Sequence, residues 1–376
     1  MADLGGLFLR FLRFGLLAWG GPVAQIAMIR QELVEDQHWI SPERFNRVLA
    51  VYQVLPGPEA TELCVYFGMQ QRGRLGGLLA GLGFFLPGFL LMFALSWLYV
   101  NYGINSPIFA AVFYGFKPAV AALIVRAVQR IGQHALTDRW LWGLAILAGF
   151  AHLLGANFVL TLGLAGLAYA LIKRLTPAPV ALTGILLPFG AWNLGFGNWD
   201  LPSFLALFGY GLRTGLLTFG GAYTSIPFLQ HDAVIAGGWM TNEQFLDGLA
   251  LSGILPAPLI IFSTFVGYLG GGPWGALLLT AGVFLPAFAF TLVGYNYLER
   301  LVENKTTHAF LDGVTAGVVG LIAATTISLL PTAIGDLPTL GIFLIALLVL
   351  YTWKAKAAVP IVMLCAGLLG LLLFRT

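Results

Sequence analysis

A chain that writes the same helix-breaking device twice, at one fixed distance, has few folds open to it. Gly20-Gly21-Pro22 interrupts one apolar run, and Pro56-Gly57-Pro58 interrupts the next. Gly20, Gly21, Pro56 and Pro58 return as Gly220, Gly221, Pro256 and Pro258. At that offset of 200 positions, residues 13–58 and 213–258 share sixteen identities, including Arg13/Arg213, Gly15/Gly215, Trp39/Trp239, Glu43/Glu243 and Phe45/Phe245. One deletion later, Gly76, Gly83, Phe85-Leu86-Pro87 and Phe89 match Gly275, Gly282, Phe284-Leu285-Pro286 and Phe288. One more deletion matches Gly115, Val120, Leu123 and Ile124 to Gly313, Val318, Leu321 and Ile322. Shared apolar composition does not set GGP against GGA and LPGP against LPAP at one spacing, so the chain reads as a duplication.

The medium follows from charge. Only 9% of the 376 residues are Asp, Glu, Lys or Arg, and 59% are hydrophobic, whereas soluble domains carry about 25% charged residues. With many apolar runs near 20 residues, this predicts an all-α polytopic membrane protein. No alternating segments of barrel type occur. The start, MADLGGLFLRFLRFG, lacks the charged region and small-residue site of a cleaved signal peptide. No basic cluster stands outside short loops, which argues against nucleic acid. Cys64 and Cys365 lie in apolar runs and read as small buried hydrophobes. His38, His134, His152, His231 and His308 show no ligand spacing, and no Walker motif occurs, so no metal, cofactor or ATPase chemistry is expected.

Six apolar segments fill the first half, roughly 7–30, 45–70, 76–100, 106–126, 139–154 and 156–172. Six more fill the second, roughly 203–229, 244–269, 275–297, 309–330, 337–353 and 357–374. The division is an N-terminal repeat, 1–175, a linker, 176–202, with one crossing over 178–192, and a C-terminal repeat, 203–376. Positive charge falls on alternate loops. In the first half it sits at Arg72 and Arg74, at Arg126, Arg130 and Arg139, and at Lys173-Arg174; in the second it sits at Arg300 and Lys305, then Lys354 and Lys356. Because Lys and Arg stay cytoplasmic, the second half is expected upside down relative to the first. About 13 segments result, with the N-terminus in the cytoplasm and the C-terminus outside. The loop 31–44 resists, because Arg30, Arg44 and Arg47 flank it on the outer side; segments one and two re-entering the membrane is the alternative.

Breaks at membrane depth free backbone groups that lipid cannot satisfy. Helices restarting after Gly21-Pro22 and after Gly57-Pro58 present unpaired N–H groups and a partial positive charge, and Pro suits the first helical position. Their counterparts follow Gly220-Gly221 and Pro256-Ala257-Pro258. Pointed at one cavity, they form an anion site; the alternative is that Gly and Pro merely kink or pack helices. Charged residues inside apolar segments default to function. Arg13 and Arg213 either bind the anion or snorkel to headgroups. Lys117 either attracts substrate or pairs with an acid. Glu59 and Glu62 share a helix face; they cap the dipole or carry protons, and Leu259 and Phe262 replace them in the second half. Gln25, Gln53, Thr61, Thr224, Ser225, Ser252 and Ser263 offer neutral hydrogen bonds.

At these motifs the chain resembles the chromate ion transporter family, over nearly all of both halves. The carriers are FLRFGLLAWGGPVAQIAMIRQELVEDQHWI, VLAVYQVLPGPEATELCVYFG and GFFLPGFLLM, then TFGGAYTSIPFLQ and LSGILPAPLIIF. The resemblance implies an inner-membrane protein of two fused inverted halves that expels chromate, a tetrahedral dianion, using the proton motive force. The family's motif positions fall on Gly20, Gly21, Pro22, Arg30, Glu32, Trp39, Glu43, Phe45, Gln53, Pro56, Gly57 and Pro58. Gln25 stands where many members carry His, and Pro22 and Gly57 become Ala222 and Ala257, which softens the second set of breaks. Sulfate or another oxyanion is the alternative substrate, and an oxyanion channel the alternative mode. An intramembrane enzyme would need a nucleophile–base or metal constellation, and the sequence offers none. A homodimer is compatible with the sequence.

Overall fold

The computed structural model describes residues 3–103, 106–173, 204–302, 305–353, 355 and 357–374. The expected crossing over 178–192 lies outside these residues. The first half runs α1 (Leu4–Leu16), α2 (Gly21–Ile29, continued as a π-helix over Arg30–Asp36), α3 (Pro42–Val54), α4 (Glu59–Leu98), α5 (Pro107–Ala135), α6 (Arg139–Leu153) and α7 (Phe158–Ile172). The second half repeats the series. After α8 (Phe204–Leu217), a 3₁₀ turn, Ala222–Ser225, leads into α9 (Ile226–Gln230) and a π-helix, His231–Ala236. Then come α10 (Asn242–Gly253), the 3₁₀ turn Leu259–Ile261, α11 (Phe262–Val302), α12 (Lys305–Ala333), α13 (Leu337–Thr352) and α14 (Ala358–Leu373). No strand occurs among the described residues.

Local chemistry sets the helix starts. Ser41 and Thr241 accept from the N–H groups of Arg44 and Gln244 at the heads of α3 and α10. Asp138 and Asp336 do the same for α6 and α13, each satisfying N–H groups the helix cannot. Four stretches are long and apolar enough to cross a membrane: Glu59–Gly103, Pro107–Ala135, Leu259–Gly294 and His308–Ala333. The 15-residue helices α6 and α7 are each about 22 Å long and turn Leu147, Phe150, Leu160 and Leu164 outward, an apolar rim suited to lipid.

The segments read as 7–30 and 45–70 do not run straight through. Arg13 meets Glu32 at 3.0 Å, Arg10 sits 5.2 Å from the Trp39 ring, and the Gln25 amide donates to Ala18 O at 2.9 Å. Those contacts are out of reach unless α2 folds back along α1. Likewise Phe45 stacks on Phe67 at 6.4 Å, and Arg44 Nε donates to Tyr66 OH at 3.4 Å, so the start of α4 folds back along α3. The second half repeats both returns. Arg213 pairs with Asp232, Phe245 meets Phe262 at 5.5 Å, and Trp239 Nε1 donates to Val266 O at 3.2 Å. Both α4 and α11 then turn once more, at Arg72-Gly73 and Gly271-Gly272, where Gly73 and Gly272 take φ +61° and +62°. There Gly68 lies so close to Gly76, and Gly267 to Gly275, that a side chain would collide with the facing backbone. Each repeat thus begins with two helical hairpins whose tips are the breaks.

The halves interlock. α5 packs against α12, α13 and α14 of the second half, while α12 packs against α5, α6 and α7 of the first. α1 lies on α4 as α8 lies on α11. At the centre α4 crosses α11, and Phe85 stacks on its own counterpart Phe284 with centroids 4.7 Å apart. Around that stack Gly77 faces Leu292, and Phe93 faces Tyr268, so numbers rise on one helix as they fall on the other. The two equivalent helices run antiparallel, and their crossing at Phe85/Phe284 is the central axis of this helix pair.

Candidate functional site

The breaks occupy the hairpin tips, and the glycines there need backbone that side chains avoid. Gly20, Gly21, Gly220 and Gly221 take φ of +89°, +76°, +76° and +111°, and Gly57 takes +150°. Pro22 sits in the first turn of α2. The Pro56–Pro58 and Pro256–Pro258 tips flank the central axis. Gly57 lies against Ala287 of α11, and Ala257 against Gly88 of α4. Ala287 and Gly88 are three residues from the stacked phenylalanines, about one helical turn on either side.

The tips meet crosswise. The Gly57 N–H donates to Thr218 O at 2.9 Å, tying the second break of the first half to the first break of the second. On the other side Leu17 and Trp19 share an apolar cavity of about 580 Å³ with Ile254, Pro360 and Leu364. The four breaks therefore form two cross-half pairs, and only one of them is polar.

Several predicted ligands have other duties. Gln25 spends its amide on Ala18 O, bracing its hairpin, and Gln53 is exposed. The Thr224 and Ser225 hydroxyls donate back to Gly221 O and Ala222 O, and Ser252 donates to Leu259 O. Arg13 and Arg213 bridge the arms of their hairpins to Glu32 and Asp232. Lys117 takes the acid-pairing option, 3.6 Å from Glu243 and 4.0 Å from Asp247. It lines a second cavity of about 470 Å³, with Tyr99, whose hydroxyl donates to Asp247 at 2.8 Å, and with Tyr114, which donates to Asp336 at 2.6 Å.

The polar pair of tips gathers the rest. Glu59 and Glu62 are buried one turn apart, and both Glu62 oxygens, like the hydroxyls of buried Thr61 and Ser263, lack a hydrogen-bond partner. Glu59 interacts electrostatically with Arg130 of α5. Tyr223, two residues past Gly221, interacts with both Arg130 and Arg126. The turn at Gly220 packs on Ile131 of α5 and Thr315 of α12. Beside Gly221 there is open space. Arg126 and Arg130 lie four residues apart on one helix face, and neither forms an ion pair among the described residues. Two like charges at that spacing repel; Arg126 is half-buried and Arg130 exposed. The sequence reading placed both arginines in a loop because the apolar run ends at 126. The helix runs on to Ala135, and their i, i+4 spacing was the available signal.

A family model described as "Chromate transporter" matches residues 5–192 and again 205–371. The chain belongs to the chromate transporter family. It is 56% identical over 385 residues to a "Chromate transport protein" of Pseudomonas aeruginosa, covering 98% of this chain and 92% of that protein. A "Chromate transport protein" of Cupriavidus metallidurans is 31% identical, over 98% of this chain and 92% of its own length. A "Probable chromate transport protein" of Synechococcus elongatus is 31% identical, over 96% and 93%. No solved structure matches. The two matched stretches take in the tips and hairpins described above.

Proposed function

We propose that the protein exports chromate across the cytoplasmic membrane, driven by the proton motive force, with alternating access at a midplane site between two inverted repeats. The observation that carries the site is the uncommitted pair Arg126 and Arg130 facing Glu59, Tyr223 and the open side of Gly221 where two hairpin tips touch. Two guanidinium groups match a tetrahedral dianion in charge and in donor geometry. Glu59 and Glu62 supply the protonatable groups.

Inversion, with repeats over 1–175 and 203–376 joined by one crossing in the 176–202 linker, is supported by the antiparallel α4 and α11. If these helices cross the membrane, an axis perpendicular to them lies in the membrane plane. Re-entry also removes the difficulty at loop 31–44. Hairpins that return to the face they left carry Arg30, Arg44 and Arg47 back to the cytoplasmic side, as the distribution of positive charge requires. The N-terminus is then cytoplasmic and the C-terminus outside. Cysteine accessibility at 72–75 and 299–306 tests this; labelling from opposite faces would refute the inversion.

Energised uptake of chromate into everted membrane vesicles tests the site. The Arg126→Ala/Arg130→Ala protein should lose most transport at wild-type abundance, with smaller losses for replacements at Gly21, Pro58 and Arg13. Unchanged transport in the double variant removes the site, and sulfate competing as well as chromate assigns the broader substrate class.

A further inference from the structure

We propose that Glu59 is the resident counter-ion of the Arg126/Arg130 pair, so that the oxyanion and one proton bind together, from the same face, rather than in exchange for each other. The inference rests on the oxyanion reading of this site and adds the sign of its coupling.

The groups that face Glu59 are few. Exposed Arg130 of α5 acts electrostatically on Glu59, and half-buried Arg126, one turn earlier, acts on Tyr223 beside it. Tyr223 comes from the turn after Gly221, Glu62 lies one turn on along α4, and on the α11 side the Gly57 tip meets apolar Ala287. Glu59 is 9% exposed, and the start of its helix is pinned by Gly57 N–H to Thr218 O at 2.9 Å, so the carboxyl cannot swing far from the guanidinium groups.

Charge then decides the order of events. With the site empty, the Glu59 carboxylate offsets part of the arginine charge. A dianion that takes up the guanidinium donors deprives Glu59 of its partner and places two negative charges beside it. Opposite charge favours the ionised carboxyl and like charge disfavours it, so the oxyanion brings a proton from the same aqueous face onto a Glu59 oxygen. Two guanidinium charges, one dianion and a neutral Glu59 sum to zero, the state least costly to enclose at membrane depth. With Glu59 ionised, the loaded site would carry a net negative charge. The transported species is one dianion with one proton, net charge −1, so the electrical component of the proton motive force drives export while the co-exported proton moves against the pH gradient. The second half, with Leu259, Phe262, Ala324 and Ser328 at the corresponding positions, has no such site.

The test is calorimetric titration of the purified full-length chain with chromate, above about pH 8 where the free anion carries two charges, in two buffers of different ionisation enthalpy. The wild type is expected to take up close to one proton per anion, and its affinity to fall about tenfold per pH unit. Glu59→Gln should bind chromate with no proton uptake and a flat pH profile. Zero proton uptake in the wild type, or uptake that survives Glu59→Gln, overturns the coupling while leaving the anion site standing. Unchanged binding by Arg126→Ala/Arg130→Ala overturns the site itself.

Discussion

The duplication supplies its own control for the worth of a buried ion pair. Arg213–Asp232 and Arg13–Glu32 are the same pair in two settings. The buried one keeps only 4% and 1% of its side chains exposed, whereas the other keeps 64% and 19%. An exposed pair contributes about 0–1 kcal/mol. Removing one partner of a buried pair costs about 3–5 kcal/mol, chiefly because the remaining charge is left without compensation. Arg213→Ala also strips the guanidinium from the faces of Phe158 and Tyr210, 5.0 and 5.4 Å from their centroids, which moves the loss toward the upper end. The expectation is a loss of about 3–5 kcal/mol for Arg213→Ala and at most about 1 kcal/mol for Arg13→Ala. Reversible SDS titration of the protein in mixed micelles measures both. Removing both charges with Arg213→Met/Asp232→Leu should recover most of the loss, since no bare charge remains. Equal losses for the two arginines, or a double variant as unstable as Arg213→Ala, would show that burial does not set the difference.

Gly57→Ala must hold a side chain at φ +150°, with its Cβ 2.8 Å from Glu62 Oε1; a loss of about 1–3 kcal/mol in the same titration is expected, and wild-type stability would contradict the tip geometry. Burial alone would raise the Asp138 carboxyl, but donation from Tyr169, the Leu141 and Trp140 N–H groups and Lys173 holds it at about 2, below the ordinary 3.8. Its ionised form therefore stabilises the fold above 3.8 and stops doing so as pH falls through 2, so the stability gap between wild type and Tyr169→Phe should be full near neutrality and close across that range. Glu243, Asp247 and Asp336 outnumber Lys117 around the second cavity, and on the proposed topology they face outward and hasten release of an anion. Asp247→Asn keeps an acceptor for Tyr99 but removes a charge worth about 1–3 kcal/mol to a dianion at about 10 Å, so inhibition of energised uptake by chromate preloaded into the lumen of everted vesicles should strengthen several-fold.

The sequence carried the repeat, the helices and the four breaks, because Gly and Pro act on the backbone they occupy. It carried the direction of the hairpins less well. Residues 7–30 and 45–70 have the hydropathy of crossings, and hydropathy does not tell a helix that continues from one that returns. The return is fixed by contacts between residues nineteen or more apart, such as Arg13 with Glu32 and Phe45 with Phe67. Arg30, Arg44 and Arg47 on the wrong side of a crossing chain were the visible symptom. Arg126 and Arg130 were missed for a related reason. Where an apolar run ends, a helix need not end, and α5 carries half-buried Arg126 and exposed Arg130 beyond the apolar run, within electrostatic reach of tips that are far away in sequence.

The departures from two-fold symmetry are themselves informative. Equivalent backbone is reproduced closely, down to the turns at Gly73 and Gly272 with φ of +61° and +62°. Several ionisable groups are not, although the Arg13–Glu32 and Arg213–Asp232 pairs are. Glu59, Glu62, Arg126 and Arg130 have Leu259, Phe262, Ala324 and Ser328 as counterparts, Arg47 has Asp247, and Thr315 has Lys117. Buried ionisable groups are costly in a membrane protein, so a repeat that needed them only for folding would need them twice. Of the four unmatched groups of the first half, Glu59 and Glu62 follow the Gly57 tip that touches Thr218, Arg130 acts electrostatically on Glu59, and Arg126 acts on Tyr223. Packing accounts for the paired glycines, which are present in both halves. It does not account for acids and arginines present in one half alone, and the oxyanion site proposed at that junction would.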